Sequence, residues 1–347
     1  MRMAQSGSSE TYLFSRWLFL RLLGVVYLVA FVSLATQVTG LVGVHGLLPA
    51  GRFLDQARSV YGAQAYWLLP TLFWFGSSDL ALQLAAWGGA VLALLLVADI
   101  APLLVLVLLW ALYLSLTVAG QSFLSFQWDA LLLETGLLAI LWAPAEWLPR
   151  GARRIPSNAV RLLLVFLLFK LMFLSGVTKL LSGDPTWRSL TALDYHFETQ
   201  PLPPWTAWYA HQLSSGVHRA ATLVMLVIEL VAPWLLFAPP RYRTLRLAGC
   251  AALVLLQLGI AATGNYGFFN LLAIVLVVPV LDDALLRRGA PGHLGVAQTE
   301  SAARQRVMAV VVPVVFFLSA LSFIREIAYT VQAPRAATIA GLSDLVL

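Results

Sequence analysis

Cysteine, lysine and charge in general are scarce in this sequence of 347 residues. Cys250 is the single cysteine and lies inside an apolar run, which excludes an intrachain disulfide, a thiol relay and a cysteine metal site. Lysine occurs only at Lys170 and Lys179. The sequence also lacks a nucleotide-binding loop, a His-Glu-x-x-His helix, a haem attachment motif and a Ser-His-Asp hydrolase signature. We therefore expect no cofactor.

Hydrophobic residues are what the sequence has in excess. They make up 60% of the chain, charged residues make up 11%, and the mean hydropathy is +0.84, whereas about a quarter of the residues of a soluble protein are charged. Apolar runs near the length of about 20 residues that crosses a bilayer recur along the chain. They are too long for the alternating strands of a barrel. The sequence therefore predicts an all-α, polytopic transmembrane helical bundle, with residues 1–347 forming a single transmembrane domain.

Eight or nine membrane helices are predicted, together with short amphipathic helices at the membrane interface. The first begins beside Arg16 and is longer than the apolar core of a signal peptide, so we expect it to be retained. Two segments are short and two nearly abut, which makes one or two of them candidates for tilted or re-entrant elements. The predicted segments are residues 14–36, 79–98, 101–119, 124–143, 158–181, 219–238, 247–262, 268–281 and 305–324.

The arginines orient these helices. Basic residues accumulate in short cytoplasmic loops, and with a cytoplasmic N-terminus every arginine cluster falls on that side, although the turn at Asp99 has none. The arginines form no patch with interleaved aromatics, so the net charge of +6 does not indicate nucleic-acid binding. The outer-face loops are then residues 37–78, 119–129, 182–218 and 263–270.

The loop between the first two helices is predicted to lie along the membrane surface. Apolar and polar residues alternate at helical spacing over residues 52–61, which is typical of an interfacial amphipathic helix. Four aromatic residues follow, and we interpret them as an aromatic belt at the outer rim. They are Tyr66, Trp67, Phe73 and Trp74.

Three charged residues lie inside predicted membrane helices, namely Glu134, Lys170 and Glu229. Each is about ten residues from the outer end of its helix, which places all three near the midplane. We expect them to face one another as structural charges, because pairing offsets a cost of about 3 kcal/mol or more for each. A proton path is the alternative, but the inner half of the bundle offers few further titratable groups.

Lys179 carries the most specific functional hypothesis. It ends the helix predicted over residues 158–181 and, nine positions from Lys170, points to the opposite side of that helix. One interpretation is structural, with the side chain reaching water near Asp184. The other is catalytic, with burial leaving a neutral amine as base toward an acidic, lipid-soluble substrate. Gly176, on the same helix, predicts that a neighbouring helix approaches closely.

No metal site is predicted in the loop that follows Lys179. Asp194, His196 and Glu198 are spaced at i, i+2 and i+4, positions that do not share a helical face. His211 and His218 lie too far along the chain to join them by any standard ligand spacing.

The other candidate site residues form a proposed outer-face cluster. Asp129 lies near the depth of Lys179, and a Lys179–Asp129 pair could either hold a polar ligand headgroup or brace two helices. The sequence leaves both possibilities open. The cluster comprises His45, Gln127, Trp128, Asp129, Asp184, Trp187, Arg188, Asp194, Tyr195, His196, Glu198, Gln200, Asn265, Tyr266 and Asn270.

Four long motifs resemble the membrane region of the lipase maturation factor family, and the similarity extends from the loop at 40–50 to Asp282 and Asp283. The resemblance implies a membrane-resident, chaperone-like folding factor that is not a known enzyme and that helps secreted lipases reach their active form. Animal members reside in the endoplasmic reticulum. The motifs are FQWDALLLETG at 126–136, SGVTKLLSGDPTWRSLTALDYHFETQPLP at 175–203, WYAHQL at 208–213 and TGNYGFFN at 263–270.

The family also has a soluble C-terminal domain, which we expect to be absent from this chain because it ends at Leu347. Abundant Arg, Ala and Leu with almost no Lys favour a bacterial source, and hence a bacterial inner membrane with an extracytoplasmic outer face. The expected partners are the lipid bilayer and a secreted lipase or other exported client.

A more distant resemblance concerns the SGVTKL turn alone. It is similar to the site of the catalytic lysine in vitamin K-dependent gamma-carboxylase and the horizontally transferred transmembrane domain group. Lys179 matches that lysine, and Thr178 replaces a second lysine that commonly precedes it. This resemblance implies the alternative function, a membrane enzyme using a lysine base on a quinone or lipid-like substrate. A transporter is disfavoured because the sequence shows no inverted repeat.

Overall fold

The computed structural model describes residues 12–147, 151–286, 294–298 and 302–343. The chain divides into two compact units, Met1–Arg161 with Leu281–Glu300, and Leu162–Val280 with Ser301–Leu347. The described residues are overwhelmingly helical, in agreement with the predicted fold class. One exception was not predicted: strand β1 (Gly151–Arg154) pairs in parallel with strand β2 (Leu294–Gln298).

The first unit is built from four long helices and several short ones. Its helices are α1 (Leu13–Ala35), α2 (Val38–Val42), α3 (Ala50–Tyr61), α4 (Ala65–Leu68), α5 (Asp79–Val97), α6 (Pro102–Gly120), α7 (Gln127–Trp142) and α15 (Asp283–Leu286). Short 3-10 helices cover Gly62–Gln64, Leu72–Phe75 and Gln121–Leu124.

Helix α8 (Asn158–Leu181) begins in the first unit and supplies most of its length to the second. The remaining helices of the second unit are α9 (Pro185–Arg188), α10 (Ala192–Thr199), α11 (Trp205–His211), α12 (Ser215–Leu235), α13 (Arg243–Thr263), α14 (Phe269–Val275) and α16 (Ala302–Ser343). Short 3-10 helices cover Pro240–Tyr242 and Val278–Val280.

Seven of the described helices are long and apolar enough to cross a membrane, so the protein is an integral membrane protein. They are α1, α5, α6 with its extension to Leu124, α8, α12, α13 and the part of α16 over Arg304–Thr330. Helix α7, with 16 residues, and the segment Phe269–Val280 are shorter. All nine predicted segments are helical, and these two account for the uncertainty over the number of spans.

Helices α1 and α5 cross closely because small residues lie at their contact. A Cβ atom added at Gly24 would lie 2.9 Å from the Val97 side chain, and one added at Gly89 would overlap the ring of Phe31. Phe31 is fully buried. Glycine at these positions therefore lets large side chains of the partner helix fill the space beside the backbone.

Adjacent glycines of α5 provide a matched test of this packing. Gly89→Ala is expected to destabilise the protein by about 1 to 3 kcal/mol, because the new methyl group displaces Phe31 from its buried position. Gly88→Ala is the control, since nothing lies within 4 Å of a Cβ added there. Thermal unfolding in detergent compares the two variants, and equal melting temperatures would contradict the close crossing.

Polar contacts fix one end of the first unit, where α1 begins and α5 and α7 end. Arg16 is buried and donates to the carbonyl oxygens of Trp142 and Arg154, at 3.4 and 2.8 Å. Arg21 forms an ion pair with Asp99. The turn at Asp99, which lacks its own arginine, is therefore served by one from α1. Arg16 is a buried brace and not the loop charge that the orientation argument assumed.

The opposite end of the first unit gathers the loops predicted to share the outer face. Asp79, at the start of α5, accepts a hydrogen bond from the Val44 backbone at 2.8 Å. Gln121, just after α6, donates to the Leu48 carbonyl at 3.0 Å. The loops at 40–50 and 119–129 thus lie at the same end of this unit, as the helix order predicts.

In the second unit, α8 packs against α16 through aromatic rings. Phe166 lies 5.4 Å from Phe316, and Phe169 lies 6.2 Å from Phe323, between ring centroids. Between these rings, Lys170 Nζ lies 3.2 Å from the Ser319 hydroxyl. The side of α8 that carries Lys170 therefore faces α16.

Candidate functional site

The candidate site is built around the end of α8, where Lys179 meets α12. Lys179 Nζ lies 2.6 and 2.8 Å from the two carboxylate oxygens of Glu229. The Glu229 side chain is 3% exposed and that of Lys179 is 22% exposed. The ring of Trp187 lies 5.5 Å from the same ammonium group. A carboxylate and an aromatic face both stabilise the charged form of the amine.

A glycine makes this ion pair possible. A Cβ atom added at Gly176 would lie 2.9 Å from the Leu230 side chain and 3.1 Å from Glu229 Cβ. The absence of a side chain at Gly176 therefore lets α12 approach α8 closely enough for Glu229 to reach Lys179. This confirms the close helix approach that the sequence predicts at Gly176.

The predicted grouping of intramembrane charges is wrong for Glu229. We expected Glu229 to face Lys170 and Glu134, but its carboxylate is bound by Lys179, on the other side of α8. The physical reason is that α12 begins at Ser215, four residues before the predicted start. The extra turn shifts Glu229 along its helix to the level of the α8 end.

Capping contacts order the chain directly after α8. Asp184 Oδ1 accepts hydrogen bonds from the backbone and hydroxyl of Thr186, at 2.9 and 2.7 Å, and so caps α9 as predicted. Arg188 donates from Nε and Nη2 to the Leu180 carbonyl, at 3.0 and 2.8 Å. This guanidinium satisfies a carbonyl group that the end of α8 would otherwise leave without a partner.

A buried histidine fastens α10, α11 and α12 to one another. His218 Nδ1 lies 2.7 Å from Asp194 Oδ1, and Nε2 lies 2.9 Å from the Ala210 carbonyl oxygen. Both neighbours are acceptors when Asp194 is ionised, so this geometry suits a ring that carries a proton on each nitrogen. The hydrogen bond from His218 lowers the pKa of Asp194. Sequence spacing missed this contact, which joins residues 24 positions apart.

A second polar contact ties α10 to the turn between α13 and α14. Tyr266 Oη lies 3.1 Å from His196 Nε2, and Gln200 donates to the Thr263 carbonyl at 2.9 Å. Burial lowers the pKa of His196, with the charge of Lys179 acting in the same direction. Burial likewise raises the pKa of Tyr266. The segment 263–270 and α10 therefore form one ordered surface.

The other predicted residues of the second unit are less engaged. Tyr195 and Asn265 are exposed. Glu198 is exposed, with a carboxylate oxygen 3.6 Å from His211 Nε2. Asn270 is buried and donates to the Gln257 carbonyl at 3.1 Å, which makes it a packing residue of α13 and α14.

Four predicted residues belong to the first unit. His45 and Gln127 are exposed, and Trp128 stacks on Phe126 with ring centroids 4.5 Å apart. Asp129 is buried and accepts hydrogen bonds from the Tyr113 hydroxyl at 2.6 Å and the Phe126 backbone at 3.2 Å. Asp129 and Lys179 each have a partner within their own unit, so neither is used in the pair considered from the sequence.

Across residues 12–147, 151–286, 294–298 and 302–343, no group of three or more His, Cys, Asp or Glu side chains is placed to hold a metal ion. The polar groups of the second unit are instead paired with one another or with backbone carbonyls. Together these features define a polytopic helical membrane protein that carries an ordered polar surface at one end of its second unit.

Comparison with known proteins assigns the family. The model described as the lipase maturation factor transmembrane domain matches residues 14–288. The chain is 45% identical over 295 residues to "Lipase maturation factor 2" of Homo sapiens, covering 80% of this chain and 41% of that protein. It is 34% identical over 285 residues to "Lipase maturation factor 1" of Mus musculus, covering 80% and 49%. The chain therefore belongs to the lipase maturation factor family.

The match has limits in both proteins. This chain spans about two fifths of the curated relatives named lipase maturation factor 2, and 49% of the mouse lipase maturation factor 1. Helix α16 lies beyond the residues that the family model matches. None of the solved structures matches the chain.

Proposed function

We propose that this protein is a chaperone-like membrane maturation factor that assists the folding or assembly of secreted lipases or related exported proteins, without catalysing a reaction. Its membership of a family whose relatives are named for lipase maturation carries the proposal. The client itself, a secreted lipase or another exported protein, belongs to the same proposal.

The surface best suited to a client is α11 with its flanking residues, which we name the α11 rim. It exposes apolar side chains at Leu202, Trp205, Trp208, Tyr209 and Leu213. Polar groups of His211, Glu198 and Ser214 border it. Large apolar patches with a polar border are typical of surfaces that bind other proteins, and aromatic residues dominate the energetics of such surfaces.

The position of the rim also supports a client outside the membrane. Its clasp, His218, lies 11 residues before Glu229, about 16 Å along the axis of α12 from the Lys179 ion pair. Helix α11 comes before the first turn of that span. The rim is thus held firmly by buried contacts while its apolar side chains remain available.

The orientation and location are part of the proposal. Arg16, Arg21 and Arg154 gather at one end of the first unit, which supports a cytoplasmic N-terminus by the distribution of positive charge. The α11 rim would then face the extracytoplasmic space of a bacterial inner membrane, or the lumen of the endoplasmic reticulum in animal relatives.

The contacts of Lys179 support a structural role over the enzymatic alternative. A base requires a neutral amine, whereas the bidentate contact with Glu229 stabilises the ammonium form. We therefore assign Lys179, Glu229 and Trp187 to holding α8, α9 and α12 together beneath the rim.

A lipase rescue experiment tests the role of the rim. In cells lacking their own maturation factor, wild-type protein is expected to restore secretion of active lipase. The double variant Trp205→Ser, Trp208→Ser is expected to lower that activity about tenfold, since buried tryptophans are common binding hot spots. Trp205 is 77% exposed, so little of the protein's own packing is lost.

Trp147→Ser is the matched control for this experiment. Trp147 is 71% exposed and lies beyond α7, near the end of the first unit that carries the arginines. It is expected to leave lipase activity unchanged at equal membrane protein levels. Wild-type rescue by the rim double variant, or equal losses with Trp147→Ser, would contradict the assignment of the rim.

A further inference from the structure

The segment of residues 65–75 in the first unit, which joins α3 to α5, exposes large apolar side chains that the proposed function does not use. Trp67 is 88% exposed and Phe75 is 94% exposed, and Leu68 and Leu72 are also exposed. Two aromatic side chains that are this bare of protein contact require a partner other than water.

Hydrogen bonds to α6 place this segment below the end of the helix. The Thr71 hydroxyl donates to the Ser115 carbonyl at 3.1 Å, and the Leu72 backbone donates to the Ser115 hydroxyl at 3.0 Å. Ser115 lies five residues before Gly120, where α6 ends. At 1.5 Å per residue, the chain at Thr71 and Leu72 is about 7 Å below the helix end.

Neighbouring loops provide a reference for this depth. Leu48, from the same connection, meets α6 at Gln121, after the end of the helix. The chain therefore starts at the level of the α6 end and dips beside α6 at residues 71–72, before Ser78 caps the start of α5.

The backbone of the dip is satisfied by protein groups. The Thr71 hydroxyl accepts from the Phe73 backbone at 3.2 Å, and Trp74 Nε1 donates to the Leu69 carbonyl at 2.8 Å. The Gly76 backbone donates to the Phe73 carbonyl at 3.2 Å. Irregular backbone is tolerated at membrane depth only when its polar groups have such partners, and a loop in water has no need of them.

We propose that residues 65–75 form an interfacial anchor that inserts into the bilayer leaflet at this end of the first unit. Trp67, Leu68, Leu72 and Phe75 occupy the boundary between lipid headgroups and acyl chains. Interfacial segments bury their apolar face about 5 to 10 Å into that boundary, which agrees with the depth set by Ser115. The partner of this surface is therefore lipid and not a protein client.

The flanking helix supplies the charge that such an anchor uses. Arg58, at the end of α3, lies over the ring of Tyr66 at 6.0 Å, and Arg52 and Arg58 are both exposed. Guanidinium groups at this height can contact lipid phosphates while the aromatic rings enter the leaflet.

Site-directed spin labelling tests the anchor. Cys250→Ala removes the single native cysteine, and Trp67→Cys or Phe75→Cys then provides one labelling site in the full chain. Gln56→Cys, on the exposed face of α3, is the control. Each labelled protein is placed in nanodiscs of phosphatidylcholine and phosphatidylglycerol, and collision rates with oxygen and with a water-soluble nickel chelate are measured.

The anchor predicts that labels at 67 and 75 collide with oxygen several-fold more, relative to nickel, than the label at 56. Equal ratios at all three sites would overturn it. Nickel access at 67 and 75 that is lost only when a secreted lipase is added would also overturn it and make the segment a client surface. Both native side chains are largely free of protein contact, and an unchanged melting temperature verifies that each variant is folded.

Discussion

Lys179→Met is expected to lower the free energy of unfolding by about 3 to 5 kcal/mol, because it leaves the buried carboxylate of Glu229 without its partner. Glu229→Met is expected to cost less. The Lys179 side chain is 22% exposed, against 3% for Glu229, and a lysine near a helix end can redirect its charge toward water. Unfolding in mixed detergent micelles, followed by tryptophan fluorescence, measures both variants.

The double variant Lys179→Met, Glu229→Met separates the ion pair from other losses. Replacing a buried pair by apolar side chains of similar volume is often nearly neutral, so the double variant should be more stable than Lys179→Met alone. Free energies that simply add would show that the two residues are not coupled. In that case Glu229 would not be the structural partner of Lys179.

Asp283→Ala is expected to destabilise the first unit by about 3 kcal/mol, because a charged acceptor is lost from a buried helix start. The carboxylate of Asp283 accepts hydrogen bonds from three consecutive backbone groups of α1, at Leu13, Phe14 and Ser15. The distances are 2.9, 3.0 and 3.1 Å, and a negative charge there also complements the helix dipole.

Hydrogen exchange at the first turn of α1 measures this loss directly. Asp283→Asn keeps one acceptor oxygen but no charge, and it should give an intermediate result. Asp184→Ala is the control, because it removes an exposed cap with one backbone bond and should cost about 1 kcal/mol. Equal effects of Asp283→Ala and Asp184→Ala would contradict the role of Asp283.

The sequence predicts the helices well because the bilayer imposes their length and composition. Helix α8 has the predicted bounds, residues 158–181. The start of α12 was placed too late because its first turn, with Ser215, Gly216 and His218, carries no apolar pattern. That error of one turn led to the wrong partner for Glu229, since partner assignments from depth depend on where each helix begins.

Contacts between distant parts of the chain were not predictable from spacing. Asp283 caps a helix that begins about 270 residues earlier, and β1 pairs with β2 over a similar kind of separation. One signal was present in the sequence. The residue before α1 is Tyr12, which makes no side-chain cap, and a helix start without a local cap implies an acceptor from elsewhere.

Lys179→Arg in the lipase rescue experiment tests most directly whether this protein acts without a lysine base. Arginine keeps the positive charge and can bind Glu229 through two hydrogen bonds, but it stays protonated and cannot act as a base. The account predicts that the variant, at wild-type membrane levels, restores most of the secreted lipase activity. Loss of rescue by a folded, normally abundant Lys179→Arg protein would contradict it and favour catalysis by Lys179.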